Sequence, residues 1–246
     1  NLGYVYCELG DFARAESVMR QSLAAADRMG LREVSAAVQH NLGRVLGVLG
    51  QMDEAARLER EAIASFGRQG EPRLEGVART YLSEILVASG DYAAAEEEAA
   101  LAAEELRVAP SLRVAALGAL ARARLGRGDA SGGLEAAREA AAELAILGEI
   151  EEGESSVRLT HAEALAQNGG DAEARAVLET ARERLLARAA RIEEPAWRER
   201  FLNDVPVNAR ILSLAAQWSS SPPPRLATGE RPRRPTGSGP IRLPPP

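Results

Sequence analysis

The chain has 246 residues and no lysine, so its 30 basic residues are all arginine, set against 36 Asp plus Glu for a net charge of -6. The single cysteine, Cys7, excludes an internal disulfide and supplies no metal-ligand spacing, and a reducing, cytoplasmic setting is the expectation. No apolar run approaches the ~20 residues a membrane-spanning helix needs, so a membrane partner is set aside. Hydrophobic residues make up 46% but aromatics only 4%. That apolar share is mostly Ala and Leu, which favours helices whose backbones approach closely.

The chain opens at Asn1 inside a helical pattern and without an initiator Met, which creates the expectation of a longer parent. Asn1-Leu2-Gly3 leads to Leu9-Gly10-Asp11 and Ala15, and the same spacing returns at Asn41-Leu42-Gly43, Leu49-Gly50 and Ala55. A third copy runs from Tyr81-Leu82-Ser83 through Ser89-Gly90-Asp91 to Ala95. Two weaker copies follow, one with Leu120-Ala121, Gly128-Asp129 and Gly133, the other with His161-Ala162, Gly169 and Ala174. A further small position holds Ser22, Ala62, Ala102, Ala140 and Ala181. Repetition at this period is the signature of stacked helical hairpins.

Each copy predicts a helix, a glycine turn and a second helix packed antiparallel on the first. Gly at the turn adopts positive φ without a Cβ penalty, and the following Asp can cap the next helix. Apolar residues recur at helical spacing between turns, as at Leu42, Val45, Leu46 and Leu49, and small residues mark where the helices touch. The pattern resembles the tetratricopeptide repeat, with Leu-Gly in the first helix, Gly at the turn and two Ala positions in the second. The spacing is longer than the usual ~34 residues, as in the subclass resembling kinesin light chains and bacterial regulators. The resemblance implies an all-α, right-handed superhelical solenoid with about five hairpins over residues 1–191.

Residues 192–218 are expected to cap the array. Pro206 suits a helix start, and Phe201, Val205, Ile211, Leu212, Leu214 and Trp218 could cover the last hairpin. Phe201-Leu202-x-x-Val205-Pro206-x-Asn208-Ala209-Arg210 resembles the closing segment of repeat regions in large bacterial signalling proteins, including Ser/Thr protein kinases and signal-transduction ATPases. Residues 219–246, with three prolines at 222–224 and three more at 244–246, predict a disordered, Arg-rich tail.

No phosphate loop, paired metal-ligating histidines or nucleophile elbow is present in these residues, so neither catalytic residues nor a cofactor or metal are expected. His161 stands where other copies have Leu and reads as a satisfied core histidine. His40 reads as a solvated polar position, with no residue nearby in sequence to pair with it. Glu96, Glu97 and Glu98 point about 100° apart on a helix and read as a solvated face. Arg113, Arg122, Arg124 and Arg127 invite a nucleic-acid reading, against which the acidic balance argues.

A solenoid offers its concave surface, lined by first helices, to a protein or peptide. The polar residues two before and two after each Leu, or its equivalent His161, are the candidates: Tyr4, His40, Arg44, Thr80, Glu84, Arg122 and Glu163. Self-association through edge hairpins is a further expectation.

Overall fold

A computed structural model describes residues 2–148, 150 and 152–220. Asn1 and most of the tail expected to be disordered, 221–246, lie outside them. Twelve α-helices and one short 3-10 turn form the described residues, with no strand among them. Five hairpins follow one another: α1 (Leu2–Glu8) with α2 (Phe12–Arg28), α3 (Arg32–Val48) with α4 (Met52–Gln69), α5 (Pro72–Ser89) with α6 (Tyr92–Glu105), α7 (Pro110–Arg127) with α8 (Ala130–Leu147), and α9 (Glu154–Gln167) with α10 (Asp171–Ala190). Two further helices, α11 (Pro195–Asn203) and α12 (Pro206–Ser220), complete the array.

The turns follow from the residues that make them. Gly10, Gly50, Gly90, Gly128 and Gly169 all have φ between 79° and 89°, a region that costs a Cβ-bearing residue. Beyond them Asp11, Asp91 and Asp129 accept from the backbone N–H three residues on, at 3.2, 3.3 and 2.9 Å. Each Asp satisfies one donor that a helix start leaves free.

Small residues set the distance between paired helices. Ala15, Ala55, Ala95 and Ala174 are completely buried. A Cβ at Gly43 would stand 2.8 Å from Glu59 Oε1, and one at Gly3 would stand 2.8 Å from Met19 Cγ. The third copy carries Ser83 at this position, and its hydroxyl donates to the Ala95 carbonyl at 2.8 Å. Ala62, Ala102, Ala140 and Ala181 are buried as well. Ser22 is not: it is exposed and its hydroxyl turns back to the Val18 carbonyl at 2.9 Å.

Three other expectations are corrected. Glu96 and Glu98 do not form a solvated face. Glu96 pairs with Arg124 at 3.1 Å and with Arg127, and Glu98 pairs with Arg79 at 2.8 Å, which ties α6 to both neighbouring first helices. His161 is not satisfied, since its Nε2 is buried without a hydrogen-bond partner among the described residues, and burial pushes its pKa down. His40 has a partner after all, Glu59 on the facing helix, Nδ1 to Oε2 at 2.9 Å.

At the far end Phe201, Ile211, Leu214 and Trp218 are buried in one cluster with Ala174, Leu178, Ala181 and Leu185 of α10. Helix α12 therefore covers the last hairpin, and it runs to Ser220, two residues past the expected boundary.

Candidate functional site

The first helices line the concave face, and the array curls until α11 meets the first hairpin. Trp197 of α11 stands 6.0 Å from Tyr6 of α1, ring centroid to centroid, with the Arg14 guanidinium 5.8 Å from one ring and 6.0 Å from the other. Arg200 reaches Asp11 at 3.9 Å. Gly10 makes this approach possible, because a Cβ there would lie 3.0 Å from the Arg200 carbonyl oxygen. The ring so formed surrounds a cavity of about 600 Å³.

One wall of the cavity is a charged network centred on Arg44. Its guanidinium pairs with Glu8 of α1 and, at 2.7 Å, with Glu152 from the segment between α8 and α9. It also lies over the rings of Tyr4 and Tyr81, at 5.5 and 5.0 Å, where the electron-rich faces attract it. The Tyr81 hydroxyl donates to the same Glu152 oxygen that Arg44 holds. Burial, reinforced by Glu8 and Glu152, pushes the Tyr4 phenol up to about 12. Burial also pushes the Cys7 thiol up to about 11, against the pull of Arg44. Both groups stay protonated at neutral pH, so the wall is equipped to bind polar groups and its thiol is a poor nucleophile.

The candidates from the sequence divide into three sets. Arg44, Glu84 and Arg122 line the cavity, and Glu84 pairs with Arg122 to join α5 to α7. Tyr4 stands behind Arg44 as its ring partner. His40 and Thr80 turn inward instead: His40 holds the fully buried Glu59, and the Thr80 hydroxyl donates to the Gly76 carbonyl at 2.9 Å. Glu163 pairs with Arg210 of α12 at 3.2 Å, and of the two Arg210 faces the cavity.

Sequence reasoning missed Glu8, Tyr81, Glu152 and Arg188 as wall residues. Glu8 was within reach, since it lies one turn beyond Tyr4 on the same helix face. Glu152 comes from a connection and Arg188 from a second helix, where the repeat register carries no signal for a groove. The arginines that invited a nucleic-acid reading are paired with carboxylates, Arg113 with Glu139 and Glu143, Arg122 with Glu84, and Arg124 and Arg127 both with Glu96. Among the described residues no group of three His, Cys, Asp or Glu side chains could hold a metal ion, and no helix is long and apolar enough to cross a membrane.

A family profile described as tetratricopeptide repeat matches residues 1–67. A protein of Podosopora anserina described as a kinesin light chain with nearly identical TPR-like repeats superposes at a TM-score of 0.57 and 23% identity, over 74% of this chain and 90% of that one. A second structure of that protein gives 0.56 and 22%, over 78% and 94%. Rap protein complexed with competence and sporulation factor gives 0.63 and 13%, over 88% of this chain and 62% of that one. The fold is a tetratricopeptide-like solenoid. This solenoid thus spans less than two thirds of the Rap chain it resembles. Curated protein sequences give no match.

Proposed function

We propose that this solenoid is a non-catalytic interaction module that holds a peptide or a partner helix inside its ring. The cavity of about 600 Å³ carries this reading, lined on one side by the Arg44 network and on the other by apolar groups of α9, α11 and α12. The Rap structure, solved with a bound factor, agrees with this use of the fold. The closing phrase from Phe201 to Arg210 supports a parent among large cytoplasmic bacterial signalling proteins, with this module as a sensory or regulatory part of a Ser/Thr protein kinase or ATPase and with α11 and α12 as its cap.

The test is a pull-down that compares the wild type with Arg44→Glu plus Arg122→Glu, and with Arg57→Glu as an outward control. Arg57 is exposed on α4. A partner lost from the double variant alone supports the concave site. Equal recovery of every partner by all three proteins would remove it.

A further inference from the structure

We infer that α11 is a lid, and that the cavity is entered where α11 parts from the first hairpin. The inference concerns access and holds for a peptide and a partner helix alike. Between successive hairpins the first helices meet through buried apolar atoms. A Cβ on Gly47 would stand 3.0 Å from Ile85 Cγ1, one on Gly118 would stand 3.0 Å from Val157 Cγ2, and both apolar side chains are buried. The seam between α11 and the first hairpin is built otherwise. Trp197 and Tyr6 are only half-buried there, the Arg14 and Arg200 side chains are 62% and 47% exposed, and the Arg200 pair with Asp11 spans 3.9 Å. Buried Cys7 belongs to the core of the first hairpins and buried Phe201 to that of α10 and α12, and neither core takes a member from across the seam. Exposed cation–π and ionic contacts add little stability, so this contact of the ring opens most readily.

The build of α11 suits a moving part. It is 9 residues long, begins at Pro195, and follows Glu194 in extended backbone with ψ 118°. Pro206 then opens α12, so the chain breaks its helical path on both sides of α11. The bonds that hold α11 on its own side are independent of the seam. Arg198 Nε donates to the Ile192 carbonyl at 3.0 Å, and Asn208 Nδ2 donates to the Phe201 carbonyl at 2.8 Å. Phe201, buried in the cluster of α10 and α12, is the pivot about which Trp197 swings off Tyr6 and Arg200 off Asp11. On one side of the seam the cavity is lined by Phe201, Val205 and Pro206, and on the other by Cys7, Glu8 and Phe12. Parting the two sides opens the cavity.

Cys7 is the only thiol of the chain and is buried in the cavity wall, so its rate of alkylation by N-ethylmaleimide reports entry. With reagent slow relative to reclosing, that rate follows the open population. Leu159→Cys in a Cys7→Ser background is a second reporter, since Leu159 lines the cavity from α9 and is buried. Val114→Cys in the same background is the control, placed in the core that α7 shares with α6 and α8. Trp197→Ala plus Arg200→Glu should raise the rate at both cavity thiols by about 5- to 30-fold, the factor that losing two exposed contacts confers on an opening equilibrium. The Val114→Cys rate should not change, and Arg200→Lys, which keeps the charge, should label like the wild type. Circular dichroism checks that the proteins compared have equal helix content. An unchanged rate at either cavity thiol would overturn the lid, because Cys7 rising alone means that α1 frays. All three thiols rising alike would overturn it too, as a loosening of the whole array. None of these readings involves a ligand, so the lid and the proposed interaction stand or fall separately.

Discussion

Glu59 shows how a repeat position absorbs a group it is not built for. The side chain is completely buried, one oxygen meets His40 and the other has no partner among the described residues. Burial raises its pKa, and His40 opposes the rise only in part. A carboxyl raised in this way is most compatible with the fold when protonated, so its contribution is full below the unfolded value of ~4.3 and is lost as pH climbs through the folded value. Glu59→Gln removes that loss. The variant should gain stability relative to wild type as pH rises from about 4 to about 8, read as the difference in thermal midpoint. A difference that stays constant over the range would mean that Glu59 is ionised at no cost. Gly43 gives this carboxyl its room, and Gly43→Ala should lower stability by about 1–3 kcal/mol in denaturant unfolding. These two residues were legible only in part. Gly43 belongs to the repeat register, but a Glu at a buried position has no periodic signature, and its His partner lies on the other helix of the hairpin.

The helices and their turns were the most legible feature, because Gly at positive φ, Asp at the cap and Ala at the contact all act within one hairpin. Two outcomes follow from this local chemistry. Asp11→Ala removes a cap on a buried helix start and should cost about 1 kcal/mol, measured by urea unfolding. Ala62→Leu forces a larger side chain between α3 and α4 and should cost roughly 1–3 kcal/mol. An unchanged thermal midpoint for Ala62→Leu would show that the two helices can separate without penalty. Ser22 marks the limit of the register. It obeys the spacing but stays exposed, so the spacing alone does not decide burial. Glu96 and Glu98 mark another limit, because the arginines that claim them lie on the helices to either side.

For the whole molecule, the decisive contact is the return of α11 onto the first hairpin. Trp197, Tyr6 and Arg14 stack there, and Gly10 lets the backbones come together. Trp197→Ala combined with Arg200→Glu should open the ring, seen as a larger radius of gyration in small-angle scattering with helix content unchanged. An identical scattering profile would show that curvature within the hairpins closes the ring without this contact. Opening should also weaken retention of any peptide held inside, as the cavity would lose its α11 wall.

The amino-acid order by itself determined the hairpins, their register and the presence of a concave face, since each rests on interactions a few residues to one repeat apart. It also placed Arg44, Glu84 and Arg122 on that face through simple helical spacing. Only the tertiary structure decided that the face curls round a cavity, that Glu152 crosses to Arg44, and that Arg188, unlike the other wall cations, has no ion pair among the described residues. Superhelical curvature sums small rotations at every hairpin interface. It therefore brings together residues far apart in the chain, such as Tyr6 and Trp197, whose meeting no repeat period records.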